Sequence, residues 1–178
     1  MPPQRRLILY IATSLDGYIA TANEDLDWLG VVEQSGEDYG YGAFKETVDT
    51  VIMGRRTYDK VASMGVPDPH PDKTLYVITR TRQASLGNIH FHSGDPVALV
   101  KQLKSEPGKD IYCDGGAQLV NLLMQHDLFD AFIISYIPIM LGDGIRLFAD
   151  GRPQQYLRLV SAKSYPKGLV QVCYERVR

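Results

Sequence analysis

The stretch Thr50-Val51-Ile52-Met53-Gly54-Arg55-Arg56-Thr57-Tyr58 changes its period at a glycine. Its first four residues form the β-rich apolar run expected of a strand buried on both faces. Gly54 ends that run, and Tyr58 and Val61 then recur at helical spacing. Strand, glycine turn, helix is the order this implies. The same order repeats at Ile111-Tyr112-Cys113, the turn Asp114-Gly115-Gly116, and a periodic helix through Leu119, Leu122, Leu123 and Met124.

The flanking chain extends the pattern. Residues 7–12 read as a buried strand that ends in the polar turn Ser14-Leu15-Asp16-Gly17, after which Tyr18-Ile19-Ala20 is apolar again. Residues 35–47 read as a helix, on the spacing of Phe44 and Val48. Residues 66–72 carry alternate prolines, which fix φ and remove donors, so this segment is a surface loop. Residues 75–78 and 89–92 are strands, and Asp95-Pro96 opens a helix to Lys104 with a capping carboxylate and a first-turn proline. Residues 132–137 form a further strand. Residues 156–164 and 169–177 alternate around Pro166-Lys167-Gly168, the signature of a hairpin. Strands alternating with short helices, then a hairpin, predict an α/β fold with a mixed, mostly parallel sheet and antiparallel strands at one edge.

Composition narrows the function classes. The chain has 178 residues, 44% hydrophobic and 22% charged, which fits one globular domain over 1–178. Nineteen Lys and Arg face 21 Asp and Glu, and a net charge of -2 argues against nucleic-acid or anionic-membrane binding. No stretch approaches the roughly 20 apolar residues of a membrane helix. Cys113 and Cys173 lie in apolar runs and read as buried free thiols of a reducing, cytoplasmic compartment. The four histidines, at 70, 90, 92 and 126, have no metal-ligand spacing, so no metal site is expected.

In open α/β sheets ligands bind beyond the C-terminal strand ends, so the turns after strands are the candidate sites. Gly54-Arg55-Arg56-Thr57 couples a helix start to two guanidinium groups, which match a phosphate bidentately. Thr79-Arg80 ends a neighbouring strand, and the two sites together could converge on one phosphate. Gly115-Gly116-Ala117-Gln118 lets a ligand approach the backbone and leaves a helix N-terminus open for a diphosphate. A tight turn or a pair of solvated arginines is the competing explanation at each. Gly142-Asp143-Gly144 and Gly40-Tyr41-Gly42 lack the context of a dinucleotide-binding loop. Asp16, Asp27, Asp38 and Asp114 are carboxylates near strand ends, each equally suited to capping a turn.

In order and spacing, these turns resemble the dihydrofolate reductase superfamily, above all its branch containing the reductase domain of bifunctional riboflavin-biosynthesis enzymes. The residues carrying the likeness are Ser14 to Ala20, Asp27-Trp28, Val51 to Tyr58, Val77 to Arg80, Cys113 to Leu119 and Pro138 to Phe148. The resemblance implies a three-layer dihydrofolate reductase-like fold and an NADPH-dependent oxidoreductase acting on a pterin- or pyrimidine-like small molecule. The nearest activity is that of 5-amino-6-(5-phosphoribosylamino)uracil reductase. It implies NADPH contacts at Thr13, Gly17, Gly54, Arg55, Arg56, Thr57, Thr79, Arg80, Gly115, Gly116, Ala117, Gln118 and Leu119. It places substrate contacts at Ser14, Asp27, Trp28 and Tyr136, and catalytic roles at Asp16 and Asp114. Family members are commonly homodimers. Dihydrofolate reductases proper carry a carboxylate on the first helix, and that position falls at Gly40 here. The alternatives are a dihydrofolate reductase-type activity and a non-catalytic NADPH-binding protein.

Overall fold

The structure is a computed structural model that describes residues 4–178. In chain order its elements are β1 (Leu7–Ser14), β2 (Tyr18–Ala20), α1 (Tyr41–Lys45), β3 (Val48–Gly54), α2 (Arg55–Ser63), β4 (Thr74–Ile78) and β5 (Ile89–His92). They continue with α3 (Pro96–Ser105), β6 (Asp110–Gly115), α4 (Ala117–Gln125), β7 (Ala131–Ile137), β8 (Ile145–Arg146), β9 (Leu157–Ser164) and β10 (Val170–Arg176). Eight strands form one sheet in the order β5-β4-β3-β6-β1-β7-β10-β9, and β2 pairs with β8 apart from it. Pairing is parallel from β5 to β7, whereas β10 runs antiparallel to both β7 and β9.

The period-2 alternation of the strands sorts their side chains onto two faces. Leu7, Leu9, Ile52, Ile111, Cys113 and Phe132 pack with Val100, Leu103, Val120 and Leu123 of α3 and α4. Ile8, Val51, Met53, Leu75, Val77 and Tyr112 pack with Phe44 of α1 and Tyr58 of α2. Helices on both faces cover a mostly parallel centre, giving three layers as expected. The cap on α3 is as read: the Asp95 carboxylate accepts from Val97 N at 2.9 Å, and Pro96 occupies the first turn.

Two readings are corrected and one element is added. The helix expected over 35–47 is only Tyr41–Lys45, because Gly36, Tyr39 and Gly40 adopt positive φ and the Asp38 carboxylate accepts from Gly40 N and Gly42 N. Local side-chain bonds there replace helical ones. A 3-10 turn over Asp27–Val32 was not anticipated. Cys113 is buried, but Cys173 on β10 is partly exposed. The terminal hairpin forms as read, with Lys167 at φ 61 in its turn.

Candidate active site

The two glycine turns meet. Met53 pairs with Gly115 in the sheet, which sets the ends of β3 and β6 side by side. From there α2 leaves to one face and α4 to the other, so a crevice opens where the crossovers diverge. Both helices start without a side-chain cap, leaving their first-turn N–H groups aimed outward. A Cβ on Gly54 would stand 3.6 Å from Gly116 N, and one on Gly116 would stand 2.9 Å from Thr57 Oγ1. Gly115 has φ +106, a conformation that favours glycine. These glycines therefore keep the crevice floor bare backbone beside the Thr57 hydroxyl. Gln118 is exposed on the first turn of α4 and Ala117 is half-buried, while the Leu119 side chain lies in the core and leaves only its backbone to face a ligand.

The arginines flank this crevice. Gly54 pairs with Ile78, so Arg55 and Arg80 follow adjacent strand ends. Arg55 Nε donates to Asp59 Oδ1 at 2.8 Å, its Nη1 donates to Gln83 at 2.9 Å, and its guanidinium lies over the Phe91 ring. Arg56 is largely exposed and pairs with Glu24 at 2.7 Å. Arg80 is exposed, and Thr79 is buried with its hydroxyl accepting from Thr81 N at 3.2 Å.

On the α1 face, Asp114 stands one residue before the double glycine. Its Oδ1 accepts from the Tyr112 hydroxyl at 2.7 Å, and its Oδ2 lies 3.0 Å from His70 Nε2. Asp114 is a quarter exposed, whereas His70 is 2% exposed. Tyr112, Tyr41, Tyr10 and Phe44 form an aromatic wall beside them, with Tyr41 and Tyr112 centroids 6.3 Å apart. Burial pushes the Tyr112 phenol well above its ordinary range and that of Tyr41 up to about 12, with the Asp114 charge adding to both. Both phenols stay protonated, so Tyr112 is a donor to the carboxylate. Farther along this face Trp28 is buried with Val32, Ile137 and Leu169, next to Ala12 of β1, and its indole N–H has no partner among the described residues.

The Ser14–Gly17 turn is tied into the fold. Ser14 Oγ donates to Asp16 Oδ1 at 2.6 Å and accepts from Tyr18 N at 2.9 Å. Leu141 N and Gly142 N donate to Asp16 at 3.1 and 2.7 Å. These bonds, led by that from Ser14, hold the Asp16 carboxyl below its usual range. Both Asp16 oxygens thus anchor the 141–142 segment. Thr13 is buried with its hydroxyl on the Ser14 carbonyl, and Gly17 turns at φ 90. Asp27 is exposed at the start of its 3-10 turn. Tyr136 lies apart from the Asp114 cluster. It packs on the α3–α4 side and lines a cavity of about 520 Å³ with Met124, Phe148 and Tyr174. Among the described residues, no three His, Cys, Asp or Glu side chains cluster as metal ligands.

Sequence reasoning placed Asp114 but not His70, which came only as one of four histidines without metal spacing. The signal it did carry is local: Pro67, Pro69 and Pro71 stiffen the segment around it.

The family model for the RibD C-terminal domain matches residues 5–171. The chain belongs to the RibD C-terminal domain family. It is 42% identical over 174 residues to the uncharacterized Bacillus subtilis protein YwjB, covering 97% of this chain and 99% of that one. This RibD-type chain is also similar to a provisionally assigned riboflavin biosynthesis protein of Shewanella sp. PV-4, with 31% identity and a TM-score of 0.87 over 97% and 99% of the two chains. The Thermotoga maritima diaminohydroxyphosphoribosylaminopyrimidine deaminase/5-amino-6-(5-phosphoribosylamino)uracil reductase shares the fold, at 14% identity and a TM-score of 0.74. The match spans 98% of this chain and 57% of that one. Enterococcus faecalis dihydrofolate reductase, solved with NADP(H), shares it at 18% identity and a TM-score of 0.68, with 98% of both chains covered. The architecture is therefore dihydrofolate reductase-like. Among its described residues, no helix is long and apolar enough to cross a membrane.

Proposed function

We propose that this RibD-type chain is an NADPH-dependent reductase of a pyrimidine- or pterin-like substrate, with an activity resembling that of 5-amino-6-(5-phosphoribosylamino)uracil reductase. The observation that carries the reading is the pairing of Met53 with Gly115, which joins two uncapped helix N-termini over a bare glycine floor beside the Asp114 carboxylate. The crevice fits a dinucleotide: first-turn N–H groups at Arg55–Thr57 and Ala117–Leu119 bind a diphosphate, and Arg55, Arg56 and Arg80 flank it for a 2′-phosphate. When bound, a nicotinamide supplies a hydride. The chain's own share is orientation and exclusion of water. Asp114, held on one side and open on the other, accepts from a substrate N–H group, and Trp28 and Tyr41 wall the pocket. The thiol of Cys113, raised to about 12 by burial, stays protonated and inert, as suits the cytoplasm.

The α1 face disfavours dihydrofolate reduction. Gly40 offers no side chain where that chemistry needs a carboxylate, and both Asp38 oxygens cap the turn. We place the chain in a homodimer joined through β9, whose residues are exposed along its whole length, including Leu157, Leu159 and Val160. The function is tested by titrating the chain with NADPH and NADH, then measuring turnover of the uracil and of dihydrofolate. Tighter binding of NADPH with turnover of the uracil is expected. Equal affinity for the two nucleotides overturns the 2′-phosphate assignment, and binding without any turnover favours a non-catalytic role.

A further inference from the structure

His70 lies in the proline-rich loop between α2 and β4, yet it is among the most deeply buried polar side chains of the described residues, at 2% exposure. Burying an imidazole costs free energy unless its nitrogens are paired, and a loop residue could stay in water instead. Here the loop is held so that it does not. Asn88 Nδ2 donates to the His70 carbonyl at 2.9 Å and to the Lys73 carbonyl at 3.0 Å. The Tyr58 hydroxyl donates to the Pro67 carbonyl at 3.1 Å, and His70 N donates to Asp68 Oδ1 at 3.2 Å. The ring stands edge-on to Tyr112, centroids 5.7 Å apart. All of this directs Nε2 to Asp114 Oδ2 at 3.0 Å.

Nδ1 is buried without a partner among the described residues. A proton there would be a donor with nowhere to go, which costs more than a bare lone pair. The ring therefore carries its proton on Nε2 and donates it to Asp114. With Tyr112 on the other oxygen, both carboxylate oxygens are fixed from inside the protein while a quarter of the side chain stays exposed, at the end of β6 one residue before the double glycine. A carboxylate held this way presents its remaining lone pairs in one direction.

Resting on the reductase reading above, we infer that His70 is a positioning residue: through its Nε2–H bond it locks the Asp114 carboxylate in the orientation that receives the substrate's N–H groups. It touches no substrate itself. The role parallels any buried group that orients a catalytic side chain through its second atom.

The test has two arms. In the first, NADPH and 5-amino-6-(5-phosphoribosylamino)uracil are the probes. His70→Leu lowers kcat/KM about tenfold or more, and His70→Gln, which keeps a donor nitrogen at similar reach, stays within about threefold of wild type. In an Asp114→Ala background His70→Leu adds less than about twofold, because its effect passes through the missing carboxylate. NADPH affinity is unchanged in all variants. Losses that multiply, or a His70→Leu chain as active as wild type, overturn the assignment.

The second arm needs no turnover. Nitrogen-edited NMR of the wild-type imidazole shows an exchange-protected proton on Nε2 that loses its protection in Asp114→Ala. A proton on Nδ1, or protection unchanged by the substitution, overturns it. A wild-type chain inert toward the uracil overturns the reductase reading alone, and this arm then decides the role of His70 even where His70→Leu does not fold.

Discussion

Gly116, in the proposed cofactor cradle, and Asp16, in the scaffold, differ in what a substitution would disturb. A Cβ at Gly116 would press on Thr57 Oγ1 at 2.9 Å, on the floor of the crevice. Gly116→Ala is therefore expected to weaken NADPH binding at least about tenfold, the loss of one well-made charge-assisted bond to phosphate, as read by fluorescence titration. Asp16 behaves oppositely. Its carboxylate serves Ser14, Leu141 and Gly142, so Asp16→Asn lowers the urea midpoint more than it lowers NADPH affinity. Because its folded pKa lies below the unfolded value of about 3.9, the stabilisation it gives is complete above about pH 5 and is lost as the pH falls through the folded pKa. Urea melts of wild type and Asp16→Asn converge at low pH if this holds. Asp114 was legible because it follows an apolar run and precedes two glycines. His70 was not, because its partner is 44 residues away and no local pattern reports a contact across a loop.

At the scale of elements, the start of α2 is the proposed phosphate site. Arg55 is held by Asp59 and Gln83, a geometry that orients its fork, whereas Arg56 is tied to Glu24 on the loop after β2. Replacing both arginines by alanine is expected to raise the Kd for NADPH about a hundredfold or more and leave that for NADH within about twofold, since each charge-assisted bond contributes about 1.5–3 kcal/mol. Glu24→Gln frees Arg56 and is expected to tighten NADPH modestly. Calorimetry on the two variants separates these outcomes. The strand–glycine–helix units were readable because the period changes sharply at Gly54 and Gly115. The helix over 35–47 was overread, because apolar spacing alone does not register that Gly36, Tyr39 and Gly40 adopt left-handed backbone and that Asp38 bonds its own turn. The 3-10 turn that buries Trp28 has no periodicity to detect over its six residues.

For the whole molecule, the strand pattern predicts a sheet with an antiparallel edge, and the order β5-β4-β3-β6-β1-β7-β10-β9 makes that edge explicit. Residues 156–164 form one arm of the expected hairpin, and β9 is exposed on both faces. A long edge strand that leaves Leu157, Leu159 and Val160 exposed to water is a pairing site. Sedimentation is expected to give a dimer, and Val160→Lys to give a monomer with its crevice intact and NADPH affinity preserved. The crevice between β3 and β6 and the carboxylate beside it carry the proposed reaction. Its most direct measurement is the loss of reduced nicotinamide absorbance when the purified chain meets NADPH and 5-amino-6-(5-phosphoribosylamino)uracil. The proposed reaction consumes one NADPH per substrate molecule, and Asp114→Ala and Gly116→Ala are expected to diminish it through separate effects on turnover and cofactor affinity. Turnover that survives both substitutions, or NADPH that binds outside this crevice, would contradict it.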